Sequence, residues 1–301
     1  MSKIIEELNS ITPSIENTDK LYNIFKSIDD YAVPIIRFYM GEGTSLIRTR
    51  INEKDKEFNF ISDLYCPPTF LISNYGRANL PYQSMFYACS FPKDNEAPYP
   101  RMITLMETSS FFKDKEACGI ERNTCSKWIV TDTIELIVLP FNENYARPCR
   151  DIKEIQVLWD NEIKKSNINI EAKDLVNYMS TEISKETNNN TDYFKIANFV
   201  NYILYINEKT KNADGIMYPS VPAAGHGFNV AIKKESADKK IAFAGASMCY
   251  LAKNKMNAYE MIVNHSTEIG EDGCIKYTSK KIEEEEKNIY QKYANGLDFI
   301  N

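Results

Sequence analysis

Residues 75–91 read YGRANLPYQSMFYACSF, and residues 103–112 read ITLMETSSFF. Gly76-Arg77-Ala78-Asn79 has the composition of a turn. Pro81 cannot donate to a sheet ladder, so the strand that follows is expected over about Ser84 to Phe91, with Tyr87 at its middle. A loop containing three prolines, residues 92–100, then leads into a helix expected over about Arg101 to Lys113. On that helix Ile103, Met106 and Ser110 form one stripe, and Glu107 lies beside Thr104 and Phe111. A carboxylate among apolar neighbours either shifts toward its neutral form or requires a partner. Turn, strand and helix thus bring an arginine, a tyrosine and a glutamate to the ends of adjacent elements in an α+β arrangement.

Working outward, SLIRTRIN (45–52) alternates: Ile47, Thr49 and Ile51 take one side of a strand, Arg48 and Arg50 the other. Two arginines on one face fit either a solvated strand face or a paired phosphate clamp, since guanidinium groups hold phosphate oxygens in bidentate forks. Residues 2–30 read as two short helices broken near Thr12-Pro13, with Ile4, Ile5 and Leu8 on one face and Leu21, Ile24, Phe25 and Ile28 on another. Residues 125–140 read as one or two buried strands with a bend at Thr131-Asp132-Thr133. Helical spacing returns over 150–207 in three stripes, interrupted by a polar break at 186–192 that reads as an exposed or disordered tip. Ile216 to Ser220 is a strand, with Gly215 supplying a turn before it. A small-residue loop (222–227) leads to Phe228-Asn229 and a further strand, so Ser220 and Asn229 flank that loop. His226, in the AGHG step, reads as a loop hydrogen-bonder within reach of a ligand. The tail opens with a strand-like run (Ile241 to Leu251), has a hairpin near Gly270–Tyr277, and ends in a charged helix containing Glu283–Glu286.

The chain has 301 residues, 43% of them hydrophobic and 26% charged, which suits a globular protein with a sizeable core. Its net charge of −6 gives no global reason to expect direct nucleic-acid or membrane binding, so an anionic ligand needs local arginines. The seven cysteines are irregularly spaced without a C-x-x-C pair, which argues against a zinc knuckle and fits reduced thiols in a cytoplasm. There is no run of about 18 apolar residues, so no membrane span is expected. The N-terminus is acidic and amphipathic, unlike a signal peptide. No dinucleotide fingerprint, phosphate-binding P-loop or nucleophile elbow is present. With only His226 and His265, there is little to build a metal site or a Ser-His-Asp triad, and no metal is expected.

Five pieces taken together resemble the RES domain family: LIRTRI (46–51), GRANLPYQSMFYA (76–88), ITLMET (103–108), DGIMYPS (214–220) and NVAI (229–232). The resemblance covers roughly positions 45 to 235. It implies an ADP-ribosyltransferase-like mixed β-sheet core over 45–235; the helical spacing makes about 150–212 an insertion into it, and the chain outside the resemblance reads as an N-terminal helical extension over 1–44 and a C-terminal extension over 236–301 packed on the same domain. It also implies cleavage of NAD, as the toxin half of a toxin–antitoxin pair or a defence effector, with an Xre-type antitoxin as a protein partner. A homo-oligomer stays open, and no cofactor is implied beyond NAD as substrate. The family arginine maps to Arg48 or Arg50, a second to Arg77, the tyrosine to Tyr87, the glutamate to Glu107 and the serine to Ser220, while Asn229 matches a frequent polar position.

These residues suit one chemistry. Breaking the nicotinamide–ribose bond passes through an oxocarbenium-like transition state. Nicotinamide leaves neutral, so the reaction needs a well-placed negative charge rather than a general acid. Glu107 can supply that charge, the arginines can hold the pyrophosphate, Tyr87 can stack on the nicotinamide ring, and Ser220 can bond the amide or ribose. The acceptor stays open: water gives ADP-ribose, inorganic phosphate as co-substrate gives ADP-ribose 1-phosphate, and a protein side chain gives ADP-ribosylation. A non-catalytic RES-like binding module is the remaining alternative.

Overall fold

The computed structural model describes residues 2–277 except 32, 54–55, 91–99, 115, 140–149, 166–167, 188, 226, 256 and 258, together with 284 and 288. The fold is α+β. Its strands are β1 (Ile36–Met40), β2 (Ser45–Ile51), β3 (Met85–Ser90), β4 (Gly119–Val130), β5 (Ile134–Val138), β6 (Gly215–Pro219), β7 (Phe228–Lys233), β8 (Ile241–Lys253), β9 (Tyr259–Ile269) and β10 (Ile275–Tyr277). Its helices are α1 (Lys3–Ser10), α2 (Thr18–Lys26), α3 (Ile61–Leu64), α4 (Pro100–Thr108), α5 (Ser110–Lys113), α6 (Arg150–Lys164), α7 (Ile170–Ile183), α8 (Phe194–Asn201) and α9 (Lys234–Lys240).

The strands join in the order β1-β5-β6-β7-β3-β2-β4-β8-β9-β10. The sheet is mixed: β5 and β6 run parallel, while the other paired neighbours run antiparallel.

This order makes a flat sheet impossible. β1 and β2 lie five places apart, as do β5 and β4, which at ordinary strand spacing is about 24 Å. Yet the link 41–44 reaches about 18 Å at most, and the link 131–133 about 14 Å. The sheet must therefore curl until its two halves meet. The two links are stitched together at the corner, where Gly43 N donates to Val130 O (2.8 Å) and Val130 N to Thr44 O (2.9 Å).

The inside of the curl is a single apolar core. Met40, Leu46, Phe86, Trp128, Leu136, Met217, Val230 and Ala246 come from eight strands and pack together, closed off by Ile152, Ile155 and Trp159 of α6 and by Phe58 and Leu64 around α3. On the outer face Ile137, Ile216, Tyr218 and Ala231 meet a helical layer. That layer joins distant parts of the chain: Ile4, Leu8, Leu21 and Phe25 of α1 and α2 pack with Leu175, Met179, Ile183 and Phe199 of α7 and α8. The 150–207 region thus forms three helices, and α8 runs on into a π-turn, Tyr202–Ile206. Asn169 caps α7 by accepting from Glu171 N and Ala172 N.

Several sequence expectations need revision. Residues 1–44 are not purely helical, because Ile36–Met40 is β1, paired along its length with β5. The helix expected over 101–113 is broken at Ser109, whose side chain accepts from Phe111 N (3.2 Å) and starts the short α5. Gly215 begins β6 rather than making a turn: a Cβ there would lie 2.2 Å from Ala231 O, so only glycine allows β6 and β7 this approach. The tail matches its expected strand and hairpin: β8 pairs with β4 from Ile241 to Lys253, and β9 with β10 around the 270–274 turn. The prolines at 92 and 98, and the final charged helix apart from Glu284 and Asn288, lie outside the described residues. Among the described residues, no helix is long and apolar enough to cross a membrane.

Phe25 is fully buried and touches the rings of Tyr22, Phe199 and Tyr202. Because α2 is part of the core, Phe25→Ala should cost about 3–5 kcal/mol in urea denaturation. A change near zero would mean that the N-terminal helices are an independent appendage.

Candidate active site

The site lies on the outer face of the sheet, between α4 and the helical layer. α4 sits over β2 and β3. Thr104 Oγ1 lies 2.6 Å from Thr49 Oγ1, and Ile103 packs with Cys89 and Ala223. Pro100 opens the helix at a position where its missing N–H costs nothing. Glu107 stands in the last turn, where a negative charge meets the unfavourable end of the helix dipole, so its carboxylate must find donors elsewhere.

They come from two strands distant in sequence. Ser220 Oγ donates to Glu107 Oε1 (2.7 Å), and Asn229 Nδ2 donates to the same oxygen (2.6 Å). Ser220 is fully buried just beyond the end of β6. Asn229 sits in β7 between Tyr218 and Cys89 in the ladder. The loop joining them is closed by Ser220 N to Gly227 O (3.0 Å) and Gly225 N to Ser220 O (2.8 Å). Gly227 has φ +95°, and a Cβ on it would come within 2.4 Å of Ile103 Cδ1, so glycine lets the loop rest on α4. Among the described residues, Glu107 Oε2 takes no hydrogen bond and remains available to a ligand. Burial pushes the nearby Cys89 thiol up to about 12, with the charge of Glu107 acting in the same sense. Burial also holds the Tyr218 phenol neutral, reinforced by Tyr87 and Glu107.

Glu107 borders a cavity of about 510 Å³ whose walls include Arg77, Phe112, Asn189, Tyr193 and Pro222. Arg77 and Glu107, adjacent to neither in sequence nor in element, therefore face one space. Arg77 Nη1 donates to the carbonyls of Ile183 (2.6 Å) and Lys185 (2.9 Å) at the end of α7, and its guanidinium lies over the Tyr193 ring at 5.1 Å. Its Nη2 and Nε have no partner among the described residues.

Tyr87 holds the turn that carries Arg77. Its hydroxyl donates to Asn79 Oδ1 (2.7 Å) and accepts from Ala78 N (3.0 Å). Burial raises its phenol above the ordinary range, opposed by the Ala78 N–H. Tyr87 thus supports the site from behind, and the aromatic rings on the cavity wall are those of Phe112, which is stacked on Tyr259, and Tyr193.

Arg48 and Arg50 are not brought to Glu107. Thr49 faces α4, so strand alternation sends both arginines into the inside of the curl. There Arg48 Nη1 donates to Tyr87 O (2.8 Å) and lies over Phe86, while Arg50 donates to Asp63 O and lies over Phe58. Burial pulls the Arg48 guanidinium down to about 10. The paired clamp expected from residues 45–52 is therefore not assembled around this cavity. His226 lies outside the described residues. Among the described residues, no group of three or more His, Cys, Asp or Glu side chains is placed to hold a metal ion.

Asn189 and Asn190 belong to the polar break at 186–192 read as an exposed or disordered tip, and Tyr193 follows it directly. Residues 189–192 are exposed, but Asn190–Tyr193 forms a 3₁₀ turn, from which Asn190 and Tyr193 line the cavity. Nothing local in its sequence signals that role. No family model and no curated protein matches the chain.

Tyr87→Phe should leave Asn79 Oδ1 and Ala78 N without their shared partner, costing about 1–3 kcal/mol in denaturant unfolding. It should also speed amide exchange at residues 76–79. Unchanged stability and exchange would remove the supporting role assigned to Tyr87.

Proposed function

We propose that this chain is an NAD-consuming enzyme with a RES-like, ADP-ribosyltransferase-like core that cleaves the nicotinamide–ribose bond. The observation that carries the reading is Glu107, fixed by Ser220 and Asn229 through one carboxylate oxygen, with its other oxygen open and Arg77 in the wall of the same cavity. A volume of about 510 Å³ suits a ligand of nucleotide size.

In this reading Ser220 and Asn229 hold the carboxylate in one rotamer, so no reorganisation is needed as charge develops. Glu107 Oε2 accepts a hydrogen bond from a ribose hydroxyl and faces the positive charge growing at the anomeric carbon. The bond to nicotinamide breaks, the ring nitrogen takes the bonding pair, and nicotinamide departs neutral. Arg77 offers its remaining N–H groups to a phosphate oxygen. Of the two rings at the cavity wall, Phe112 is already stacked on Tyr259, and Tyr193 is the one assigned to stacking on the ligand. Arg48 and Arg50 are given no part in this step.

The test is turnover of NAD by the pure full-length protein, with and without inorganic phosphate, read by mass spectrometry. ADP-ribose identifies water as acceptor, and ADP-ribose 1-phosphate identifies phosphate. Glu107→Gln keeps the hydrogen-bonding shape but loses the charge. It should lower turnover by about 100-fold or more without changing the circular dichroism spectrum. Full activity in Glu107→Gln would sink the assignment. Absence of NAD loss and of any ADP-ribosylated protein in a lysate would favour a binding module.

A further inference from the structure

Beneath α4, on the same face of the sheet as Thr49, β4 and β8 bring two thiols together. Cys125 stands opposite Thr49 in one ladder and opposite Ser247 in the other. Cys249, two residues further along β8, pairs with Asn123. The two sulfurs lie 3.7 Å apart, with the Cys249 thiol donating to Cys125. Thr49 Oγ1 lies 3.2 Å from Cys125 Sγ and 2.6 Å from Thr104 Oγ1, on the turn of α4 that precedes Glu107. Both thiols are buried, yet Cys125 lines a cavity of about 210 Å³ together with Arg101, Lys127, Gly245 and Ser247. That volume admits a molecule the size of a few waters. The reaction proposed above uses none of these groups.

We propose that Cys125 and Cys249 are a redox-responsive pair, which a small peroxide entering the Arg101 cavity converts to a disulfide. The roles divide by environment. The hydrogen bond from Cys249 draws the Cys125 thiol below its ordinary range despite burial, and Thr49 and Arg101 act in the same direction. Cys249, as the donor, is driven the other way. Cys125 is therefore the attacking sulfur, since the thiolate is the nucleophile and electropositive surroundings favour it.

The Cys125 thiolate attacks one peroxide oxygen, and the O–O bond breaks. For hydrogen peroxide the leaving hydroxide takes up the proton that Cys125 gave to solvent and becomes water, leaving a sulfenic acid on Cys125. Cys249 sulfur then attacks Cys125 sulfur, the S–O bond breaks, and the departing hydroxide leaves as water with the Cys249 proton. Two thiols and one hydrogen peroxide give one disulfide and two waters.

Geometry makes this disulfide a strained one. The pair is diagonal across the ladder, where α-carbons ordinarily stand about 7–8 Å apart, somewhat beyond the usual span of a disulfide, so that bridging requires the backbone to move. Closing the sulfurs from 3.7 Å to about 2 Å must draw β4 and β8 together. A strained bond is readily reduced, so the change is reversible by small thiols. Closure also takes the S–H from Cys125 and draws its sulfur toward Cys249, which bears on its contact with Thr49, the residue that meets α4 through Thr104.

The test treats full-length protein with hydrogen peroxide, quenches it, alkylates the free thiols under denaturing conditions and maps the digest by mass spectrometry. A peptide pair joined through Cys125 and Cys249, released by dithiothreitol, is expected. Cys249→Ser should stop at a Cys125 sulfenic acid trapped by dimedone, and Cys125→Ser should leave Cys249 free. The wild-type map decides the matter even where a variant folds poorly. Recovery of Cys125 and Cys249 as free thiols while the exposed Cys118 oxidises would overturn the proposal, as would a wild-type Cys125 sulfenic acid that never resolves to the disulfide. Because the readout is thiol chemistry, failure here leaves the NAD reading untouched, and failure of that reading leaves this one standing.

Discussion

Two short links govern this structure. Residues 41–44 and 131–133 each join strands that stand five places apart in the sheet, and neither can span that distance on a flat surface. The curl that results decides which side chains meet. It gives Leu46, Phe86, Trp128, Leu136 and Val230 one interior to fill. It leaves the convex face to α4 and to the layer built from α1, α2, α7 and α8. The candidate site occupies the seam between those two coverings, where the sheet is hidden by neither.

Within that seam a negative charge has been stabilised by elements that share no local sequence. Glu107 ends a helix whose dipole opposes it, and its two donors come from the end of β6 and from β7. The loop between those donors stays low because Gly227 adopts a backbone angle that other residues avoid, directly over Ile103. Arg77 is held at a distance from the carboxylate by carbonyls at the end of α7. Opposite charges thus face one cavity without collapsing into an ion pair, which leaves both able to engage a third party.

Much of the secondary structure was legible because it rests on local rules. Alternation marked β2, the turn and Pro81 bracketed β3, and helical spacing marked α2, α7 and α8. Alternation also put Arg48 and Arg50 on one face together, but the side of the sheet that meets Glu107 depends on the direction of the curl, which no local pattern records. Glu107, Ser220 and Asn229 could be named from residue type and motif, and the structure joins them by hydrogen bonds. Tyr193 could not, because its relation to Arg77 exists only once α7 and α8 dock against the sheet. β1 was missed because its pairing with β5 is a consequence of the same closure.

The pinning of Arg77 to the end of α7 also bears on how the chain is made. The first half of the site, from the turn at residue 76 to Glu107, leaves the ribosome long before its complement. Until β7 has emerged, the carboxylate lacks Asn229, and until the helical layer docks, Arg77 has neither its carbonyl partners nor the Tyr193 ring. Contacts this distant in sequence form slowly. The nascent polypeptide therefore carries an unfinished cavity until β7 is out, the partners of Arg77 being made before the Asn229 that Glu107 awaits.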